Sequence, residues 1–235
     1  TRLVGSEMCI RDSGMNRETL VRPYMLFNEQ LFRFEIHRTC DGNYLFLDIH
    51  HIVADGTSLG IILNDINRAY SGEKLEVEEY TSYDLALDNR DALASDAYKN
   101  AENYYKSVFE NAGGSINFYP DKSGAAPTAE MYHRETSEFS VQEVKAFCKK
   151  HGITENVFFI SAFGITLGKY NFRKDAVFTT IYHGRNDSRL SDTVGMLVKT
   201  LPVYCDFSGS TKDCLNEVQQ QLINSMNNDI YPFSQ

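Results

Sequence analysis

Two adjacent histidines, His50 and His51, end an apolar run and stand just before the Asp-Gly pair Asp55-Gly56. The run at residues 44–49 is apolar and partly β-branched, which predicts a buried strand, and Asp-Gly is a turn signal. Histidine titrates near neutral pH, so an imidazole at the end of a rigid strand suits general acid–base chemistry. Side chains alternate along a strand, so the two histidines are expected on opposite faces, and only one can reach a given substrate.

Each residue of this group also has a purely structural interpretation. His51 shares the strand face of the apolar side chains and is the candidate for catalysis, although a lone histidine is more often structural. His50 shares the other face and is expected to hold the turn by hydrogen bonds. Asp55 could be a turn residue only, because aspartate readily bonds its own backbone. Gly56 permits a positive φ or the close approach of a substrate.

The elements around the histidines follow from periodicity. Apolar residues at helical spacing predict a helix over 57–70, ended by Ser71-Gly72, and one or two further helices over 83–110. Residues 120–127 are the best linker. After it we predict strands at 131–139, 176–183 and 196–207, and an apolar, buried helix at 154–170.

Two helix starts are encoded more sharply. Ser140-x-x-Glu143 is a capping box that opens a helix to Lys150, and Ser210-x-x-Asp213 starts a last helix that runs to about residue 227. The mixture of strands and helices predicts an α/β or α+β protein with a mixed sheet.

Composition excludes several classes of function. The net charge is −9 and the pI about 5.2, which argues against binding of nucleic acid because that needs clustered basic charge. Five cysteines without a Cys-x-x-Cys pair predict reduced thiols in a cytoplasmic protein rather than a zinc site or a disulfide framework. The longest apolar run, near 157–167, is too short for a bilayer, which takes about 20 residues, so no membrane association is expected.

A second kind of chemistry has to be weighed. Gly56-Thr-Ser58-Leu-Gly60 matches the nucleophile elbow of serine hydrolases, but seven residues, 51–57, separate Ser58 from the strand. We expect Ser58 in the first helical turn, capping or packing, and the serine-hydrolase alternative is therefore the weaker one. No metal site is predicted, because two adjacent histidines diverge on a strand.

The chain resembles the condensation domains of nonribosomal peptide synthetases. Their signature is two histidines, three variable residues and Asp-Gly, and further matching stretches occur in order at 22–33, 80–86, 194–202 (Val-Gly-Met-Leu-Val-Lys-Thr-Leu-Pro) and 229–233 (Asp-Ile-Tyr-Pro-Phe). Lys199 stands where the family has Asn, and Ser234 where it has Glu. An Arg-rich motif of the family has no counterpart before the histidines.

The resemblance implies two lobes of chloramphenicol-acetyltransferase-like fold around a tunnel, both incomplete here. We expect a non-native or disordered leader at 1–14 that does not match the family, the second part of the N-terminal lobe at 15–120, a linker at 121–127 and the first part of the C-terminal lobe at 128–235. A family domain is about twice as long as this chain, so the isolated fragment is expected to be inactive.

The resemblance also implies an acyltransferase that forms amide bonds. Two thioesters, each on the phosphopantetheine arm of a carrier protein, would be its substrates, with no cofactor bound directly and with adenylation and carrier domains adjoining in a larger chain. His51 would act as a base or would position the amine, and Asp55 would pair with an arginine, for which Arg185 is the candidate. The alternatives are an acyl-CoA-dependent O-acyltransferase of the same superfamily and an inactive remnant.

Overall fold

The computed structural model describes residues 20–110, 112, 133, 135 and 138–232. Four strands are found in this part of the chain: β1 (Phe32–Arg38), β2 (Asn43–Ile49), β3 (Asp175–Tyr182) and β4 (Lys199–Asp206). The helices are α1 (Gly56–Tyr70), α2 (Ser82–Ala92), α3 (Asp96–Phe109), α4 (Val141–His151), α5 (Glu155–Tyr170) and α6 (Thr211–Asn227), with a 3₁₀ turn at Ser188–Leu190. The expected α/β or α+β combination of helices and strands is confirmed. The strands of the described residues form two antiparallel pairs.

The chain divides into two compact units. The first comprises residues 1–86 and 187–197, and the second comprises 87–186 and 198–235. The expected linker at 121–127 lies outside the described residues, so that lobe boundary stays a prediction. The segment 187–197 belongs to the first unit although its neighbours on both sides along the chain belong to the second.

The first unit is built on an antiparallel hairpin of β1 and β2. Phe32 pairs with Ile49 and Phe34 with Leu47, so one face of the hairpin is apolar. The strand β1 was not predicted, although its alternating sequence Phe-Arg-Phe-Glu-Ile-His-Arg carries the period-two signal of a strand. Arg33, Glu35 and His37 are half-buried, whereas Phe34 is 51% exposed.

The second unit packs α5 and α6 against the antiparallel pair β3–β4. Its core is apolar, and its members come from the helices α4, α5 and α6, from the strand β4 and from the loop before α5: Val144, Cys148, Ile153, Val157, Ile160, Val203, Cys205, Cys214, Leu215, Val218 and Leu222. Among the described residues, Cys40 is an exposed free thiol, and Cys148, Cys205 and Cys214 are buried free thiols.

Local signals set the helix ends correctly. Ser140 is the N-cap of α4 and forms the predicted capping box with Glu143, and Gly152 ends the helix with φ +69°. Thr154 caps α5 through its side chain, and Ser210 caps α6. These caps satisfy helix-end amides within one turn of sequence, which is why the sequence reveals them.

Three expectations need correction. The strand expected at 196–207 is shorter, because residues 196 and 197 join the first unit. The helix expected to be buried at 154–170 is buried on one side only, since Phe159 is 54% and Phe163 47% exposed. Of the strand expected at 131–139, residues 133, 135, 138 and 139 are described, and none of them is in a strand.

Among the helices in the described part of the chain, none combines the length and the apolar character that crossing a membrane requires.

Candidate active site

The histidines stand on a turn that directly follows β2. The His50 amide still donates to the Leu31 carbonyl at 2.9 Å, which extends the ladder by one residue, and the His50 carbonyl accepts from the Val53 amide at 3.1 Å. His51 and Ile52 are therefore the central residues of a four-residue turn. The strand expected to carry both histidines ends at Ile49, so His51 is presented by the turn and not by a strand face.

His51 is exposed at the corner of this turn. Its neighbour His50 is half-buried, and its Nδ1 accepts from the Ile52 amide at 3.0 Å. That bond fixes the His50 ring within the turn and fits the structural role expected for it. His51 is thus the more accessible histidine of the pair, and its catalytic role stays a prediction.

The segment before β1 supports His50 from the other side. The ring of Tyr24 meets the His50 ring edge-on at 5.7 Å, and the Tyr24 hydroxyl donates to the Asp48 carbonyl at 2.8 Å. The Arg33 guanidinium lies over the Tyr24 ring and pairs with the Asp48 carboxylate at 2.8 Å. Burial, together with the Asp48 charge, raises the pKa of the Tyr24 phenol, so that this ring stays neutral. The stretch at 22–33 thus packs against the histidine turn and stabilises it.

Asp55 anchors the other end of the turn. It is 3% exposed and caps α1: its Oδ1 accepts from the Ser58 amide and hydroxyl, both at 2.8 Å. Its Oδ2 accepts from the Leu197 amide at 3.1 Å, and the Asp55 amide donates to the Gly195 carbonyl at 3.3 Å. Asp55 therefore caps α1 and also bonds the segment 187–197. The local sequence alone suggests only the role of a turn residue.

Gly56 begins α1 and does not have the positive φ that the sequence allowed. A Cβ at this position would meet nothing within 4 Å. The conformational reason for a glycine here is therefore wrong, and the close approach of a substrate stays a prediction. Positive φ is found instead at Gly184, between His183 and Arg185.

Ser58 does not resemble a nucleophile. It is 0% exposed, and its hydroxyl bonds Asp55 and the backbone of Gly195. A nucleophilic serine needs an accessible oxygen and an adjacent base within hydrogen-bond reach. The structure gives Ser58 the packing role expected for it in the first helical turn, with Asp55 as the actual cap.

The segment 187–197 is also held on its other side. Thr193 Oγ1 donates to the Tyr80 carbonyl at 2.7 Å, the Val194 amide donates to Glu78 Oε1 at 3.1 Å, and the Arg189 guanidinium covers the Tyr80 ring. The segment 187–197 therefore contacts residues 78–80, next to the matching stretch at 80–86, and no sequence signal revealed this contact.

An apolar cavity of about 470 Å³ adjoins the turn. Its lining contains no titratable group and comes from the hairpin, the turn, α1 and the segment 187–197: Leu31, Phe32, Phe34, Ile49, Val53, Ala54, Ile62 and Val194. The cavity can hold apolar groups, and the histidine turn directly follows the lining residue Ile49 along the chain.

Arg185 lies in the second unit, one residue beyond Gly184, and its amide donates to His183 Nδ1 at 3.0 Å. Its pairing with Asp55 stays a prediction. Within the described residues, no three His, Cys, Asp or Glu side chains are grouped as a metal ion would require.

Comparison with known proteins supports the resemblance. A family model described as "Condensation domain" matches residues 8–235. The match begins at residue 8, within the expected leader at 1–14, and the division into leader, lobes and linker stays a prediction.

Relatives of the chain are large synthetases. Bacitracin synthase 2 of Bacillus licheniformis is 28% identical over 235 residues, covering 97% of this chain and 9% of that protein. A nonribosomal peptide synthetase of Arthroderma benhamiae is 28% identical over 230 residues, covering 96% of this chain and 4% of that protein.

Among solved structures, the first condensation domain of the calcium-dependent antibiotic synthetase, in complex with a substrate analogue, is similar with a TM-score of 0.67. It is 17% identical, and the match covers 87% of this chain and 47% of that one. The fold is thus shared, and the chain spans about half of that domain and under a tenth of the two synthetases.

Proposed function

The chain belongs to the condensation-domain family, and we propose that it carries the histidine motif of a domain that joins two carrier-bound acyl groups through an amide bond. The observation that supports this most directly is the placement of His51. It is exposed on a turn whose two ends are fixed, by the Leu31 carbonyl on one side and by buried Asp55 on the other. A general base has to be accessible and held in place, and His51 meets both conditions.

The reaction we propose needs no nucleophile from the protein. The amine of the acceptor attacks the thioester carbonyl of the donor, a C–N bond forms, the C–S bond breaks, and the donor's thiol leaves. The buried state of Ser58 is consistent with such a direct transfer. An α-amino group has a pKa of about 7.7–8.0, so a useful fraction is neutral near pH 7, and much of the rate can come from holding the two ends together.

His51 is the proposed catalytic residue. Its imidazole would accept the proton that the attacking nitrogen loses, or would hydrogen-bond the amine and the developing oxyanion. His50, Asp55 and Gly56 are proposed as the support of the turn. Arg185 is proposed as the charge partner of Asp55 on the strength of the family resemblance alone.

The proposed substrates are thioesters on the phosphopantetheine arms of a donor and an acceptor carrier protein, and carrier and adenylation domains are the proposed partners. The support is the similarity to large synthetases, one of which is named a nonribosomal peptide synthetase. The apolar cavity beside the turn is a suitable place for the apolar part of an acyl group.

The test is transfer between a loaded donor carrier and a loaded acceptor carrier, followed by mass spectrometry of the acceptor. The 235-residue chain is assayed first, and then a chimera in which its residues 20–232 replace the matching part of bacitracin synthase 2. We expect His51→Ala to lower transfer by roughly a hundredfold or more, the range for removal of a general base.

A matched variant is His133→Ala, which removes another exposed histidine, in the second unit, and should leave transfer unchanged. Wild-type transfer by the His51→Ala chimera would disprove the catalytic role. Faster transfer to a hydroxyl acceptor than to an amine would instead favour the O-acyltransferase alternative, which uses the same base.

A further inference from the structure

Ser58 occupies a polar site in the interior of the first unit. Its side chain is 0% exposed and lies in the first turn of α1, three residues after the cap Asp55. A buried hydroxyl costs free energy unless its hydrogen-bonding capacity is used. The use made of this hydroxyl therefore indicates why a serine is present.

The hydroxyl bridges two parts of the chain that are 137 residues apart. Its single proton can serve the Asp55 carboxylate or the Gly195 carbonyl, each 2.8 Å away, and its oxygen accepts from the Gly195 amide at 3.0 Å. Both backbone groups of Gly195, its amide and its carbonyl, thus bond the Ser58 side chain. A two-sided bond of this kind fixes the orientation of the peptide as well as its distance.

The approach of Gly195 is close. A Cβ on this residue would lie 2.9 Å from the Ser82 Cβ, so only glycine fits between α1 and the start of α2. Two residues further on, the Leu197 amide donates to the second carboxylate oxygen of Asp55. The segment 195–197 and the cap of α1 are consequently one hydrogen-bonded cluster.

This cluster is the anchor of the histidine turn on its C-terminal side. Ala54 and Asp55 are buried, whereas residues 51–53 are exposed and lie in the turn that the His50 carbonyl and His50 Nδ1 hold together. Without the Ser58 hydroxyl, Asp55 would keep its own bonds to the Gly195 carbonyl and the Leu197 amide. Gly195 would lose the two bonds that orient its peptide against α1 and with them part of the support of the Asp55 contact.

We propose that Ser58 is a positioning residue: its hydroxyl fastens Gly195 to α1 and, through Asp55, sets the place of the His51 imidazole. The part of this statement that concerns catalysis rests on the function proposed above. Ser58 touches no substrate, because it is buried, so its effect on transfer has to pass through His51.

The first arm of the test needs no activity. In the 235-residue chain, amide hydrogen exchange and the imidazole Cε1–H resonances are recorded by NMR for wild type, Ser58→Ala, Ser58→Cys and Ser58→Thr. We expect Ser58→Ala to speed exchange at the Gly195 amide by roughly tenfold, since a buried hydrogen bond is lost, and to shift the His51 resonance while that of His151 stays in place. Ser58→Thr, which keeps the hydroxyl, should restore both signals.

Ser161→Ala is the matched control, because Ser161 is also 0% exposed but its hydroxyl has no hydrogen-bond partner among the described residues. It should change neither signal. Ser58→Cys keeps the volume with a weaker donor and should give an intermediate shift, which preserves the test if Ser58→Ala does not fold. An unmoved His51 resonance in the Ser58→Ala or Ser58→Cys chain would overturn the proposal.

The second arm is a double-mutant cycle in the transfer assay of the chimera. Ser58→Ala should lower kcat by about tenfold with KM for both carriers unchanged, and should have little further effect in the His51→Ala background. Equal losses in both backgrounds would show a purely structural role and would refute positioning. If His51→Ala alone has no effect, the proposed function fails, while the NMR arm still decides the role of Ser58.

Discussion

The ammonium of Lys199 lies 3.2 Å from the Asp229 carboxylate and also donates to the Asp229 backbone carbonyl at 3.0 Å. Lys199 opens β4, and Asp229 opens the Asp-Ile-Tyr-Pro-Phe stretch after α6. Lys199 stands where the resembling family has Asn. Lys199 therefore joins two of the matching stretches within the second unit, by a salt bridge and by a hydrogen bond to the backbone.

Lys199→Met should weaken the second unit. It keeps a long side chain but loses both contacts with Asp229, and the side chains are only 31% and 20% exposed, so we expect a loss of about 1 kcal/mol in the free energy of unfolding. Urea denaturation in 50 mM and 500 mM salt measures it. The difference in unfolding free energy between wild type and variant should be smaller at high salt. A difference that grows with salt would contradict an ionic contribution.

Gly164 allows α5 to approach the sheet closely. A Cβ on Gly164 would stand 2.8 Å from the Cys205 Cβ and 2.9 Å from its sulfur, both of which are buried. We expect Gly164→Ala to destabilise the second unit by about 1–3 kcal/mol through overpacking, although alanine favours helix by up to about 1 kcal/mol. The melting temperature and the urea midpoint measure the change.

Gly60→Ala is the control for that substitution. Gly60 is exposed on α1, and a Cβ there would meet nothing within 4 Å. The same change should therefore be neutral or stabilise by up to about 1 kcal/mol. If both variants lost stability equally, steric crowding against Cys205 would not be the cause.

The second unit should lose stability in acid through Asp175. Hydrogen bonds from the Arg173 guanidinium, at 2.8 Å to each carboxylate oxygen, hold the pKa of Asp175 below its usual value. A lowered folded-state pKa contributes stability that is present above the unfolded pKa, near 3.9, and is lost as the pH falls through the folded pKa. Unfolding free energies measured between pH 6 and pH 2.5 should therefore decline for wild type.

Asp175→Asn should start from a lower stability at pH 6 and decline less steeply, since the titrating group is gone. Asp192→Asn, which removes an exposed carboxylate from the first unit, serves as the comparison and should keep the wild-type slope. An unchanged slope in Asp175→Asn would mean that other groups cause the acid sensitivity.

Tyr105 predicts an alkaline limit. Its side chain is 5% exposed, its hydroxyl donates to the Ser225 carbonyl at 3.1 Å, and burial raises its pKa to about 12. Because the folded pKa is above the unfolded value near 10, this stability is fully present below pH 10 and is lost as the pH rises from about 10 to 12.

Tyr105→Phe should cost about 1 kcal/mol at pH 7, the value of one buried hydrogen bond, and should reduce the loss of stability above pH 10. Tyr70→Phe changes a ring that is 91% exposed and should affect neither quantity. Denaturation at pH 7, 9 and 10.5 distinguishes the two, and equal curves for wild type and Tyr105→Phe would contradict the assignment.

What the sequence determined on its own were the features with a local cause. The strand β2, the capping box of Ser140 and Glu143, and the end of α4 at Gly152 each depend on residues within a few positions, so periodicity and cap chemistry reveal them. The family was also identifiable, because the histidine signature and its companion stretches are contiguous patterns of residues.

Only the tertiary structure decided what holds the histidine turn. Asp55 bonds the Leu197 amide across 142 residues, and Ser58 bonds Gly195 across 137. Such contacts depend on how the segment 187–197 returns to the first unit, and neither hydrophobic period nor turn chemistry encodes a partner at that distance. For the same reason the sequence could suggest a nucleophile at Ser58, whereas burial and two bonds to Gly195 make it an anchor.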